Sequence, residues 1–308
     1  MNFLISGCNG DIGISVINII LKKFPESKIF ASDCVKPKII FKNVNYLHFP
    51  HCENVKYLSF LKYSIKKYEI DLFIPTISKE INFLVINKLD DISKKILINN
   101  KKIIDTFSNK QKTSDWFKKN KFPWLKTTKL ENCSPRDLPV VVKPNFGTGS
   151  KDIYYCKDSL YLNALKVGLK GDFICQEMLD QNSLEYTIAI VKIKDQANYC
   201  VMERELFGGI SFQVKAIKKK ILDEFSSKII SSMPNFCFLN LQVKIRSNKV
   251  YCFEINPRLS STILMRSLLG FEDLNGLIKY KLKNEISLKF NINYKKLINR
   301  RFDSFVFS

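Results

Sequence analysis

The stretch Phe253-Glu254-Ile255-Asn256-Pro257-Arg258, read with Leu239-Asn240-Leu241-Gln242-Val243, decides how this chain is organised. Both stretches alternate apolar and polar residues, the period of a half-buried strand. Asn240 and Gln242 share one face of the first strand, and Glu254 and Asn256 share one face of the second. The polar residues Arg246-Ser247-Asn248-Lys249 read as a turn, so the two strands pair as a hairpin. Loop parity then sets the chemistry: an odd loop puts both polar pairs on one side, and an even loop splits them. Gathered on one side, Gln242, Glu254 and Asn256, with Asn240 a weaker fourth, are oxygen ligands of the kind Mg²⁺ accepts when phosphates complete its shell. Arg258, held just beyond by Pro257, adds a planar fork for a phosphate or carboxylate. The competing reading is an amphipathic hairpin with a solvated polar face.

With 308 residues the chain has room for two or three subdomains with ordinary cores. At 45% hydrophobic and 26% charged, its composition is that of a soluble globular protein. The nine cysteines show no CxxC pairs, which fits reduced thiols in a cytoplasm better than a disulfide framework or a zinc site. The apolar N-terminus is interrupted by Gly7-Cys8-Asn9-Gly10-Asp11 and lacks a basic leader, so it does not read as a signal peptide. No run approaches the ~20 apolar residues that span a bilayer, and no membrane association is expected. A net charge of +21 invites a nucleic-acid reading. The lysines, however, are scattered over nearly every element, and no basic arm, zinc finger or RNA-binding aromatic signature accompanies them. Nucleic acid is therefore not expected as the main partner. His48 and His51 with Cys52 lack a fourth metal ligand and read as an ordinary loop. These are the chain's 2 histidines, which leaves none for a Ser-His-Asp or Cys-His site.

The first hundred residues alternate strand and helix in the doubly wound manner. Strands are expected at 2–6, 27–32, 44–48, 71–75 and 95–98, with helices at 11–23, 55–67 and 79–89. A helix at 110–120 turns Trp116 and Phe117 inward. Beyond the loop 127–139 the pattern becomes α+β, with strands at 140–143, 152–156, 172–177, 185–192 and 199–205. Helices fall at 159–167 and 218–232, and the last thirty residues form a basic, partly helical tail.

Val140-Val141-Val142-Lys143-Pro144 is a buried strand that delivers a lysine at its end, where an ammonium needs an anionic partner. It runs into Asn145-Phe146-Gly147-Thr148-Gly149-Ser150-Lys151, whose glycines let backbone N–H groups approach phosphate oxygens while the hydroxyls add donors. The GxxxxGK[ST] spacing of a Walker A loop is absent. Further on, Cys175-Gln176-Glu177-Met178-Leu179 and Glu185-Tyr186-Thr187 form a strand, an apolar hinge and a second strand, suited to enclosing a flat base and a ribose. Near the start, Gly7-Cys8-Asn9-Gly10-Asp11-Ile12-Gly13 follows a strand, opens a helix and precedes Asp33 at the end of the next strand. That is the layout of a dinucleotide fingerprint with GxxGxxG spacing. A NAD(P)-dependent reductase or epimerase is therefore a competing reading, although its usual Tyr-x-x-x-Lys pair occurs only at Tyr63 and Lys67, too early in the chain.

In this order the pieces resemble the ATP-grasp family, in particular the half-domain of carbamoyl-phosphate-synthase large subunits and their stand-alone relatives. Phe73-Ile74-Pro75-Thr76 with Glu80, Ser108-Asn109-Lys110, Val142-Lys143-Pro144, the hinge with Glu185-Tyr186-Thr187, and the final hairpin carry the likeness. It implies a Rossmann-like pre-ATP-grasp domain at 1–105 and an ATP-grasp domain of two α+β subdomains at 106–280, with its flap at about 122–185. The basic tail then covers 281–308. By the resemblance, Lys110, Lys143 and the turn Gly147, Thr148, Gly149 and Ser150 hold ATP phosphates. Glu177, Met178 and Leu179 hold the adenine, and Glu185 the ribose. Gln242, Glu254 and Asn256 place Mg²⁺, for which Mn²⁺ is a possible substitute, and Arg258 steadies the reacting phosphoryl group. Arg204 and Ser260 or Ser261 are candidates to orient the substrate. The implied reaction is an ADP-forming ligation of a small carboxylate, with bicarbonate left open, to an amine or ammonia, in a possible homodimer. A nucleotide-binding regulator without ligase chemistry is the remaining alternative. Asn109 stands where many relatives carry Asp, Cys237-Phe238-Leu239 lacks a usual glycine, and Phe271-Glu272-Asp273 departs from the family's substrate-side segment.

Overall fold

The computed structural model describes residues 1–87, 89, 92–147 and 152–300. The N-terminal strands β1 (Asn2–Ser6), β2 (Lys28–Asp33), β3 (Val44–His48) and β4 (Leu72–Ile74) form a parallel sheet in the order β3-β2-β1-β4. Helices α1 (Asp11–Lys23) and α2 (Tyr57–Lys67) lie between its strands, and α3 (Ser78–Ile86) follows it. Because side chains alternate along a strand, Phe3 and Ile5 of β1 enter one core while Leu4 enters another. The expected strand at 95–98 is corrected: the chain makes a 3₁₀ turn over Ser93–Lys95 and meets the sheet at a single bridge, Phe73 to Ile96. Two asparagines account for the stop. Asn99 is buried and exchanges hydrogen bonds with the backbone of Phe238, also donating to Pro257 O at 2.9 Å. Asn100 caps α4 (Lys101–Phe107), a helix not anticipated from the sequence, by accepting from Ile103 N.

After α5 (Lys110–Lys119), a four-stranded antiparallel sheet contains β5 (Thr127–Lys129), β6 (Val140–Pro144), β7 (Tyr154–Cys156) and β8 (Phe173–Glu177), in the order β5-β8-β6-β7. Helix α6 (Ser159–Gly168) lies between β7 and β8. A six-stranded antiparallel sheet follows from β9 (Glu185–Ile193), β10 (Gln196–Phe207), β11 (Ile210–Ala216), β12 (Phe236–Arg246), β13 (Lys249–Asn256) and, across the tail, β14 (Leu297–Asn299). Helix α7 (Lys220–Ser231) covers one face and α9 (Asp273–Lys283), preceded by the short α8 (Ile263–Leu268), packs on the other.

The hairpin is built differently from the simple parity rule. Its turn has two residues, Ser247 and Asn248, both in the left-handed region at φ 48° and 55°. That even turn alone would set Gln242 opposite Phe253 and split the polar pairs. A β-bulge at Phe253 shifts the register, so Gln242 faces Glu254 and Asn240 faces Asn256. The apolar positions carry the same shift: Val250, Cys252 and Ile255 share one core.

The tail is also corrected. Among the described residues its helix ends at Lys283, and β14 then joins the six-stranded sheet beside β11. The segment passes close over Gly270, at φ 96°, where a Cβ would stand 2.1 Å from Asn291 O.

Candidate active site

A cavity of about 580 Å³ lies between the two antiparallel sheets. Lys110, Lys143, Gly147, Glu177, Leu179, Glu185, Arg204, Gln242 and Glu254 line it, so residues far apart in the sequence converge. Met178 is not among its lining residues, and its amide donates to Pro139 O at 3.3 Å. Thr148, Gly149 and Ser150 lie outside the described residues.

Lys143 is buried at the end of β6, and its Nζ donates to Gln176 Oε1 at 2.8 Å and to the carbonyl of the bulged Phe253 at 3.1 Å. Burial lowers its pKa from 10.5 to about 8, opposed by the negative charge of Glu254. Burial also lowers that of Lys110, whose Nζ donates to Gly147 O at 3.1 Å. Asn109 is the N-cap of α5, accepting from Lys112 N at 2.8 Å, a task that Asn and Asp perform equally well. Asn145 ties that helix end to β6, since its Oδ1 accepts from Gln111 N at 3.0 Å.

At the far end, Arg246 Nη1 donates to Glu177 Oε1 at 2.7 Å, and Glu177 N donates to Lys126 O at 2.8 Å. Lys244 Nζ fixes the loop that follows by donating to Asp180 O at 2.8 Å. Glu185 is paired with Arg204, whose Nε and Nη2 both reach the same carboxylate oxygen, while Nη1 donates to Ser211 Oγ at 3.3 Å. Arg204 is thus a buried ion-pair partner on the cavity wall, not a free cation.

A second cavity of about 360 Å³ adjoins the first, and Arg204, Gln242 and Glu254 belong to both walls. Asn256 and Arg258 line it, together with Gly7, Asp11, Asp33 and Ser78 from the N-terminal domain. The fingerprint loop therefore faces this space. Its close packing depends on Gly13, where a Cβ would fall 2.2 Å from Gly7 O. Arg258 is set by Nε donating to Ser78 Oγ and Nη1 to Leu259 O, each at 2.6 Å. Burial lowers its pKa to about 10 against the opposing effect of Glu254.

The donor set formed by the shared wall with Asn256 beside it fits Mg²⁺. Asn256 Nδ2 donates to Glu254 Oε1 at 2.8 Å, which leaves the other carboxylate oxygen and the Asn256 carbonyl oxygen for a cation, beside the amide of Gln242. One carboxylate with neutral oxygens suits a metal whose shell phosphates complete. Asn240 is different: its Oδ1 accepts from Thr187 Oγ1 and Ser260 Oγ, both at 3.0 Å. Ser260 also accepts from the buried Arg266, itself paired with Asp273, so this hydroxyl belongs to a support network.

Two supports have roles that the sequence reading did not assign. Arg300 bonds Asp11 Oδ1, Ser261 O at 2.8 Å and Ser211 O at 3.1 Å, joining three wall segments of the second cavity. No local motif announces it. Beneath Gly7, the buried Glu80 carboxyl accepts from Ser6 Oγ and Tyr57 Oη. Burial raises its pKa from 4.5 to about 7, against the lowering effect of those two donors. Its place in a helix after Pro75-Thr76 was legible; its burial was not.

The ATP-grasp domain profile matches residues 107–262, and the chain belongs to the ATP-grasp family. Members of this family use ATP with Mg²⁺. Its general chemistry is ATP-dependent carboxylate–amine ligation. Among solved structures, the chain is similar to L-amino acid ligase from Bacillus licheniformis, with TM-score 0.69, 12% identity, and coverage of 92% of this chain and 74% of that one. It is similar to N5-carboxyaminoimidazole ribonucleotide synthetase from Thermus thermophilus, with TM-score 0.71, 11% identity and coverage of 96% and 81%. The corresponding synthetase from Staphylococcus aureus complexed with ADP gives TM-score 0.71, 14% identity and coverage of 94% and 79%. At such identities these likenesses concern the fold alone. No curated protein matches the sequence. Among the described residues no helix is long and apolar enough to cross a membrane, and no group of three His, Cys, Asp or Glu side chains forms a metal cluster.

Proposed function

We propose that the protein is an ADP-forming carbon–nitrogen ligase that activates a small carboxylate as an acyl phosphate and passes it to an amine or ammonia. The observation that carries this reading is the wall common to both cavities: Gln242, Glu254 and Arg204 border each of them. A nucleotide in the larger cavity would present its terminal phosphate at that wall, opposite a carboxylate in the smaller one. In this reading Lys110 and Lys143 neutralise phosphate charge, Glu177 and Leu179 border the base, and Glu185 keeps one carboxylate oxygen for the ribose. Gln242, Glu254 and Asn256 would hold Mg²⁺, which supplies charge neutralisation at the phosphates.

The substrate carboxylate oxygen attacks the γ-phosphorus, a new O–P bond forms, and the bond to the β-phosphate bridge breaks as ADP leaves. The amine nitrogen then attacks the acyl carbon, the C–O bond to phosphate breaks, and a proton from nitrogen passes to solvent. Arg258, preset by Ser78, donates to the oxygens that gain charge, which is stabilisation by preorganised donors. The proposed division of labour gives residues 1–105 and the following ATP-grasp unit, 106–280, opposite walls of the smaller cavity. The flap at 122–185 would close over the nucleotide.

The dinucleotide alternative is less well supported. Its phosphate would have to sit at the α1 amino terminus, where Asp11 already places a carboxylate bonded by Arg300. Hydroxylamine offers a direct test, because it replaces an unknown amine and traps acyl phosphates as hydroxamates. A pool of carboxylic acids with Mg²⁺-ATP and hydroxylamine should yield equal amounts of ADP and hydroxamate. Tight NAD(P)H binding with no affinity for Mg²⁺-ATP would overturn the reading.

A further inference from the structure

The smaller cavity has a charge pattern that goes beyond a generic carboxylate site. In a chain with 50 Lys and Arg against 29 Asp and Glu, this cavity reverses the balance. Its ionisable lining is Asp11, Asp33, Glu254, Arg204 and Arg258, with no lysine among the described residues. Arg204 is neutralised by Glu185, so Arg258 supplies the cationic end. Two of its nitrogens are engaged, by Ser78 and Leu259 O, and Nη2 has no protein acceptor among the described residues.

The ionisable lining that the N-terminal strands and helix contribute is anionic. A helix amino terminus ordinarily favours a phosphate, but the first turn of α1 carries Asp11, held by Arg300. Asp33, at the end of β2, accepts from the backbone N–H groups of Asn9 at 3.2 Å and Val35 at 3.4 Å, and no side-chain cation meets it among the described residues. A phosphorylated substrate would bring a dianion against Asp33, the carboxylate that no cation neutralises among the described residues, a repulsive arrangement at low dielectric. A protonated amine there would instead gain a charge-assisted hydrogen bond. The volume of about 360 Å³ is at the small end for ligand sites and suits an amino acid better than a nucleotide.

We propose that the carboxylate activated by this protein belongs to a small, unphosphorylated amino acid, its carboxylate at Arg258 and its ammonium toward Asp33. This rests on the ligase reading above. Calorimetry on the protein saturated with Mg²⁺ and a non-hydrolysable ATP analogue tests it. The probes are the standard L-amino acids, their deaminated carboxylates, O-phosphoethanolamine and glucosamine 6-phosphate. At least one amino acid should bind, with its deaminated counterpart about tenfold or more weaker, and the phosphorylated amines should not bind. Asp33→Asn should erase that difference while leaving affinity for the ATP analogue unchanged. Equal binding of the deaminated acid, tighter binding of a phosphorylated amine, or no amino-acid binding to the nucleotide-loaded protein overturns the inference and leaves the ligase reading standing. Failure of the ATP analogue to bind removes the ligase reading itself, and this inference with it. The comparison of paired acids on the unmodified protein holds even if the Asp33 variant folds poorly.

Discussion

Replacing Lys143 with methionine should separate folding from nucleotide binding. The drop of its pKa from 10.5 to about 8 corresponds to about 3 kcal/mol against the ammonium in the nucleotide-free protein. The methionine side chain removes that penalty at similar volume. It also strands two acceptors, Gln176 Oε1 and Phe253 O, at roughly 1–3 kcal/mol each. The opposing effects largely offset, so the variant should lie between about 1 kcal/mol more stable and about 3 kcal/mol less stable than the parent by urea unfolding at pH 7. ATP affinity should fall roughly 10- to 150-fold, the loss of one hydrogen bond to a charged group. The parent also has a pH signature. Its unfolded state keeps the lysine proton up to 10.5 while the folded state releases it at about 8, so stability rises with pH across that window. A thioether has no proton to release, and this rise should vanish in the variant. A loss above about 4 kcal/mol without nucleotide, or unchanged ATP affinity, would refute the reasoning.

The other expectations concern the metal wall, the arginine and the support beneath the second cavity. Arg258→Ala should lower turnover about 10²–10³-fold with little change in ATP affinity; equal losses in both would place its action on the bound nucleotide instead of on the reacting groups. Glu254→Gln should abolish the Mg²⁺ dependence of ATP binding, read by titrating the metal at fixed nucleotide, and a parent-like titration would dismiss the metal assignment. Glu80 holds its proton in the folded state up to about 7, against 4.5 ordinarily, so it contributes stability below 4.5 that is lost as pH rises through 7. Glu80→Gln should therefore remove about 3 kcal/mol of the stability difference between about pH 4 and pH 8; persistence of the slope in the variant would point to other groups.

Much of this was legible because periodicity survives into three dimensions. The bounds of α1 at Asp11–Lys23 and β3 at Val44–His48 follow directly from glycine punctuation and alternating apolar residues. Among the residues expected around a nucleotide, Lys143 and Glu177 lie at the ends of strands and Glu185 at the start of one, and they line one cavity with Lys110, Gly147 and Leu179. Other features depended on partners far away in sequence. Asn99 could not be read as a stitch to Phe238, nor Arg300 as a partner of Asp11, because the separations are 139 and 289 residues. Arg204 looked free because nothing in its own segment shows Glu185 directly opposite on β9. The hairpin parity went astray over a single residue, although the spacing from Cys252 to Ile255 holds the trace of the bulge.

The bulge at Phe253 has a consequence for how the two antiparallel sheets are held together. β13 ends the six-stranded sheet beside α4 and α5, and a regular strand there would keep an unbroken ladder of N–H and C=O groups. The bulge breaks that ladder, and Lys143 Nζ occupies the carbonyl it exposes. A chain lacking Phe253 would present a straighter strand with no carbonyl offered to Lys143, and would lose this tie between β6 and β13. The residue that turns Glu254 toward the cavity thus also supplies a tie between the two antiparallel sheets.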